Sequence, residues 1–300
     1  MKAKAVQATH KPTAAGKRGA RRKALRRFFR NPLSVVGLVL VGILTLAAVC
    51  APLISPHNPA DQSLFDKRSK PFGKYILGAD QFGRDILSRL IYGGRVSLIV
   101  AFFSVVIALI GGIIIGTLCG YLGGLIDGAL MRLMDLMLSF PYLLLAIILA
   151  AVLRERLPNI INTILAIGIW ALPTFARMVR ALVLTIKNQE YVTAARAIGA
   201  PAYQIVWSHI IPNFISPVVV YASLFMANAI MLEAALSFLG LGVQPPTPSW
   251  GEMVSSGRNF LMVAPHVATI PGLAIMVAVL GFNLLGDGLR DALDPKMNAL

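Results

Sequence analysis

Three hundred residues carry a formal net charge of +15, with 57% hydrophobic side chains, only 14% charged ones and a mean hydropathy of +0.73. About a quarter of the residues in a soluble domain are charged, so this composition excludes a water-soluble fold and points to an integral membrane protein. The two cysteines, Cys50 and Cys119, occur without any CxxC or Cys/His spacing, so neither a disulfide framework nor a zinc site is indicated.

Residues 1–32 form a basic tail with eleven Lys and Arg and no acid, densest in the string KRGARRKALRRFFR. Placed directly before an apolar run, such a cluster sets membrane orientation and meets anionic head groups rather than nucleic acid. Val49 before Cys50 makes a poor lipoprotein cleavage site, so the first apolar run is read as a retained signal anchor. Roughly 20 apolar residues cross a bilayer. The charge-free runs place six spans, near 33–53, 97–120, 134–153, 158–177, 216–240 and 267–286. With the N-terminus inside, 18 basic residues fall on the cytoplasmic side and 10 on the outer side, most of the latter in one long loop. The positive-inside rule therefore puts both termini in the cytoplasm.

The outer loop has turn chemistry at Pro56 and Pro59 and then the string LGADQFGRDILSRLIYGGRVSL, in which Arg84, Asp85, Arg89 and Arg95 alternate with apolar residues. That spacing predicts an interfacial helix; the alternative is a solvated connector. Gly112, Gly116, Gly120 and Gly124 recur every four residues, stacking four glycines on one helix face. Such a ridge lets membrane helices approach backbone to backbone, or serves as a hinge. Asp127, Arg132 and Asp135 mark a cytoplasmic turn, and Pro141 and Pro173 sit near the ends of the third and fourth spans.

Between the fourth and fifth spans lies a polar island, EYVTAARAIGAPAYQIVWSHIIPN. Helix formers over 190–198 surround the small pair Ala194 and Ala195. Gly199 supplies a residue able to end that helix in a left-handed cap. Pro201 fits the first position of a second short helix, and Pro212 is expected to break it. The prediction is a helix–turn–helix hairpin whose small residues let another protein approach closely. A DNA-binding hairpin has the same outline, but the apolar flanks argue against it.

Glu233 stands inside the fifth span. An intramembrane carboxylate costs a few kcal/mol and normally faces the bundle interior or a water-filled path. It is a candidate path-lining residue; a hydrogen-bonded position near the outer interface is the alternative. The proline-rich GVQPPTPSWGEM beyond it reads as a rigid outer loop with Trp250 at interfacial depth. No GxxxxGK[ST] loop exists, since Gly16-Lys17 and Gly73-Lys74 lack both the earlier Gly and the hydroxyl that follows. His10, His57, His209 and His266 are scattered, and no catalytic or metal-binding constellation emerges.

The pattern Ala194, Ala195, Gly199 and Pro212 resembles the "EAA" cytoplasmic loop of permease subunits of bacterial ABC importers. Thr193 stands where that family has Glu, His209 where it has Ile, and Ile211 where it has Leu; Glu190, one turn before Thr193, is the candidate to replace the missing carboxylate. The strings FFRNPLSVVGL, LGADQFGRDILSRLIYGGRVSL and FNLLGDGLRDALDPK are similar to one branch, the dipeptide, oligopeptide and nickel permeases, so the resemblance covers about residues 25–297.

It implies an all-α integral membrane protein, with six transmembrane helices and a cytoplasmic helix–turn–helix coupling hairpin. A basic cytoplasmic tail (1–32) would precede the first helix and an outer loop with its interfacial helix (33–95). A five-helix permease core (96–290) would contain the coupling loop 187–214, and a cytoplasmic tail (291–300) would follow. By the same resemblance, Glu190, Thr193, Ala194, Ala195, Gly199 and Pro212 form the ATPase-coupling loop. The chain would hold no cofactor itself, ATP and Mg residing on partner ATPases. Its partners would be a homologous second permease, two ATP-binding subunits, an external or periplasmic substrate-binding protein and membrane lipid, in a bacterial inner membrane. The cargo would be dipeptides, oligopeptides, glutathione or a nickel complex. An ion-gradient-driven secondary transporter is the competing class, but such proteins show broken helices and mid-membrane ionisable groups, and here only Glu233 qualifies.

Overall fold

A computed structural model describes residues 25–293; most of the basic tail and the last residues of the C-terminal tail lie outside the described residues. Asn31 starts the first long helix, α1 (Pro32–Val49), by accepting a hydrogen bond on its side-chain oxygen from the Leu33 N–H at 3.0 Å. Pro32 fits the first turn because its missing N–H has no intrahelical partner there anyway. A short helix, α2 (Ala51–Ile54), follows.

Asp85 caps α3 (Ile86–Leu122), its carboxylate accepting from the N–H groups of Leu87 and Ser88. At 1.5 Å per residue this 37-residue helix is about 55 Å long, far more than the roughly 30 Å apolar core of a bilayer. The expected separate interfacial helix does not exist: its residues are the first turns of α3. Gly93 and Gly94 do not interrupt the helix, because they make room for Trp250, whose ring would lie 2.7 Å from a Cβ on Gly94. Trp250 is buried there rather than set at lipid interfacial depth.

At its other end α3 stops at Leu122, two residues short of the fourth glycine of the ridge. Gly123 takes φ +71 and Gly124 φ +61, so the chain turns left-handed and Gly124 opens α4 (Gly124–Ser139) instead of continuing the ridge. Three glycines, not four, share the face. A second correction concerns the third span. Phe140, held extended by the proline that follows it, and Pro141 divide that stretch between α4 and α5 (Tyr142–Arg154), two helices bent by 101°. Among the described residues five helices are long and apolar enough to cross a membrane, and six spans result when the bent pair is taken as one.

The next long helix, α6 (Asn159–Ile186), packs along α3 more extensively than any other pair. A Cβ on Gly116 would stand 2.6 Å from the Ala176 carbonyl oxygen and 2.7 Å from Val179 Cβ, so the two backbones are in direct contact. Gly116→Val is therefore expected to force the helices apart and destabilise the chain by about 3 kcal/mol, the upper end of ordinary overpacking. Thermal unfolding of the detergent-purified variant reads this directly, and an unchanged midpoint would contradict the close contact.

Five further helices complete the described residues. They are α7 (Glu190–Ala197), the single turn α8 (Ala202–Ile205), α9 (Ile211–Phe238) and α11 (His266–Leu293), with the short α10 (Trp250–Gly257) between the last two. α11 packs between α1 and α9. Phe175, Ile167, Val100, Ile230 and Leu236 form the middle of the core. The α7–α8 hairpin closes one end of the bundle. Asn31 donates to Asp291 at 3.3 Å, so both ends of the described chain lie at this hairpin end.

The opposite end is capped by the connector over 55–85, which packs through apolar contact, with Tyr75 and Ala79 buried and Leu77 against Ile86, Met253 and Val267, and also through charge. Arg84 donates to Asp80 at 2.6 Å, and Arg89 donates to Glu252 of α10 at 2.7 Å with Asp80 3.5 Å away. Arg84 and Arg89, read from the sequence as lipid-surface residues, are buried. Burial pushes the Glu252 carboxyl above its ordinary range, and Arg89 pulls it partly back. In the same connector Arg68 (φ 57) and Phe72 (φ 63) adopt the left-handed conformation, which costs a non-glycine residue of order 1–3 kcal/mol.

Candidate coupling hairpin and the buried carboxylate

Lys187 closes α6 and donates from Nζ to the Gly120 carbonyl at 2.7 Å, so the hairpin starts from a point pinned to the end of α3. Gln189 is extended, and α7 runs from Glu190 until Gly199 enters the left-handed region at φ +81. The Gly199 N–H then donates to Arg196 and the Ala200 N–H to Ala195, satisfying carbonyls that the helix end leaves free. Pro201 stands one residue before α8 as its extended cap. Pro212 does not break the second helix. A π turn over Val206–Ile210 carries the chain into α9, with the Ile211 N–H reaching back five residues to Val206, and Pro212 falls in the first turn of the new helix. The change of register absorbs the donor that proline lacks, so the helix continues.

One face of the hairpin belongs to the fold. Val192, Ile205 and Ile210 are buried with Val179, Val183 and Phe214, and Ala195 is buried too. The other face is bare: Glu190, Thr193, Ala194 and Gly199 are exposed, Ile198 is 85% exposed and Trp207 69%. Of the adjacent alanines, only Ala194 offers a small outward surface. Thr193 turns its hydroxyl back onto the Gln189 carbonyl at 3.3 Å, leaving Glu190 as the carboxylate at the start of α7. Sequence reasoning passed over the large apolar side chains Ile198, Tyr203 and Trp207, whose clue was their position in an otherwise polar island.

Pro212 also borders a cavity of about 670 Å³ at the hairpin end, between α6, α9 and α11, with Asn213, Ser216, Tyr221 and Arg290 as its polar groups. Glu233 lies 21 residues further along α9, about 30 Å away at the cap end. It is 0% exposed: Ser97 of α3 donates to one carboxylate oxygen at 3.1 Å and Ser237 to the other at 2.8 Å. Ser97 in turn accepts from the Trp250 N–H at 3.2 Å, so one hydroxyl links α3, α9 and α10. Within this chain Glu233 is a packed tie rather than part of an open surface. Glu233→Gln retains an acceptor for one serine while the other hydroxyl rotates to accept from the amide, whereas Glu233→Leu leaves two buried hydroxyls without their acceptor. The expected costs are under about 1 kcal/mol for Gln and roughly 1–3 kcal/mol for Leu. Equal unfolding midpoints for the two variants would contradict this role.

The sequence-selected residues thus fall into three places: the hairpin, the glycine ridge at the α3–α6 contact, and Glu233 beneath the cap. Among the described residues no three His, Cys, Asp or Glu side chains form a metal-binding group.

Long apolar helices and a hairpin with one bare face describe a membrane-embedded helical bundle. A solved structure of the inward-facing MetNI methionine ABC transporter has the same fold, with a TM-score of 0.55 at 20% identity over 70% of this chain and 98% of that one. The family described as the binding-protein-dependent transport system inner membrane component matches residues 112–299, and the N-terminal TM domain of oligopeptide transport permease C matches residues 20–71. The chain belongs to the binding-protein-dependent transport system inner membrane component family, and it is a permease subunit of an ATP-driven importer. Among its relatives, the dipeptide transport system permease protein DppC of Escherichia coli K12 is 49% identical over 90% of this chain and 91% of that protein. The protein of the same name from Alkalihalophilus pseudofirmus is 43% identical (93% and 90%). The glutathione transport system permease protein GsiD of Pectobacterium atrosepticum is 40% identical (93% and 92%).

Proposed function

We propose that this chain forms half of a path for short peptides, paired with a second, homologous permease. The observation that carries the cargo assignment is the 49% identity to a dipeptide permease over nine-tenths of the chain; the glutathione relative falls in the same chemical class, a short peptide. Two separate ATPases dock on the bare face of the hairpin, where Glu190, Thr193, Ala194 and Gly199 lie beside Ile198 and Trp207. A substrate-binding protein delivers cargo at the cap end. The hairpin end faces the cytoplasm, which agrees with the excess of basic residues there, and puts both termini on the same side.

Coupling requires the ATPase pair to bind one arrangement of the pore more tightly than another, since only differential affinity shifts a conformational equilibrium. The hairpin suits this task because its inner face is continuous with the α6–α9 packing. Proteoliposomes test the whole reading. The complete assembly is expected to accumulate dipeptide only with internal-side ATP and the external binding protein present, with unlabelled dipeptide competing better than glutathione. Accumulation by this chain alone under a proton or sodium gradient, without nucleotide, would mean a secondary transporter instead.

A further inference from the structure

We propose that the segment over 64–76 is a membrane-surface anchor. Phe65 and Phe72 enter the head-group region on the cap side of the bilayer, and Lys67, Arg68 and Lys70 bind anionic phospholipid.

The segment is displayed rather than loose. The Arg68 N–H donates to Asp80 at 2.9 Å, the Ala79 N–H to Ser69 at 3.1 Å and the Phe72 N–H to Ile76 at 3.1 Å, and the His266 ring lies 3.1 Å from the Ser69 carbonyl. Yet Phe65 is 102% exposed and Phe72 90%, and Phe72 and Arg68 both hold the left-handed backbone that side chains ordinarily avoid. A fold that holds aromatic rings outward at such positions gains nothing from them within the chain. Backbone strain of this kind persists where function uses it.

Charge decides what covers the rings. Residues 64–76 contain four basic side chains and one acid. That acid, Asp66, is taken by Lys74 and the Tyr75 hydroxyl, and Lys74 holds its carboxyl below the usual range. Lys67 and Lys70 face no carboxylate among the described residues, and Arg68 rests over the Phe260 ring at 5.5 Å. Next to that ring, Met262 and Val263 form a second exposed apolar tip just before α11. Aromatic and aliphatic tips set among Lys and Arg are the composition of a membrane interface. The connector is tethered at both ends, to α2 and to α3, and through Ser69 to His266 at the start of α11.

The test places a polarity-sensitive NBD label at Phe72→Cys, or separately at Phe65→Cys, in a background where Cys50→Ser and Cys119→Ala remove the native thiols. The labelled complete importer is reconstituted into nanodiscs of phosphatidylcholine with or without phosphatidylglycerol. In the anionic discs we expect blue-shifted emission that a shallow spin-labelled lipid quenches, and loss of both effects in the zwitterionic discs. Each of Lys67→Gln, Arg68→Gln and Lys70→Gln should weaken the phosphatidylglycerol dependence by about fivefold, the equivalent of roughly 1 kcal/mol for a basic side chain near an anionic surface. Unquenched, solvent-like emission in both discs would overturn the proposal. So would quenching of equal strength in both, or a shift that appears only when the substrate-binding protein is added, which would assign the patch to protein docking. None of these readings depends on which cargo is carried.

Discussion

Gly199→Val is expected to abolish ATP-dependent uptake while leaving the chain folded in the membrane. Gly199 sits at φ +81, and a Cβ there meets nothing within 4 Å, so the substitution creates no clash inside the chain. Its effect is conformational: a β-branched residue in the left-handed region costs at least about 1–2 kcal/mol. The chain escapes that cost by giving up the two hydrogen bonds that close α7 onto the turn. The escape displaces Ala194, Ile198 and the start of α8, the exposed face on which an ATPase would dock. Gly199→Asn is the informative partner, because Asn enters the same region far more readily. Uptake and ATPase co-purification should fall together at least tenfold for Val and be largely kept for Asn. Wild-type values for Gly199→Val would remove the turn from the coupling role.

Arg89→Ala should be the most destabilising single change at the cap. Its guanidinium is buried between Glu252 at 2.7 Å and Asp80 at 3.5 Å, and their side chains are themselves nearly inaccessible. Removing one partner of a buried pair strands the other charge and typically costs about 3–5 kcal/mol. The paired replacement Arg89→Met with Glu252→Leu removes both charges and should recover most of that loss. The variant should also respond to acid in a defined direction. Burial already holds the Glu252 carboxyl above its ordinary value of 4.5, so the folded state binds that proton more tightly than the unfolded chain. Without Arg89 that bias grows. The stability deficit of Arg89→Ala is then largest above the raised folded value and shrinks as the pH falls through it toward 4.5. A deficit that is constant with pH would mean that the pair is not the source.

Some of this molecule is legible one residue at a time. Charge-free runs mark spans because a bilayer leaves no water to satisfy an unpaired backbone, and all but the third of those runs match long helices. Gly199 announces its own turn, since few other residues enter that conformation cheaply. The Ala194–Ala195 pair with Gly199 and Pro212 carries the family resemblance that the comparisons bear out. Local rules misled where a neighbour overruled them. Pro212 was expected to stop a helix, yet a π turn five residues long lets the helix pass. The glycine spacing suggested a ridge of four, whereas the turn at Gly123 and Gly124 removed the last.

By itself, then, the sequence determined the membrane class, the apolar spans, the hairpin and its glycine turn. Each of these depends on solvation or backbone sterics, which act within a few residues of chain. Only the tertiary structure decided that Arg89 finds Glu252 across 163 positions, that Ser97 reaches Glu233 across 136, and that the third span bends by 101°. A buried charge or hydroxyl is tolerable only with a partner at hydrogen-bond distance, and which residue stands there is settled by helix packing, not by spacing along the chain.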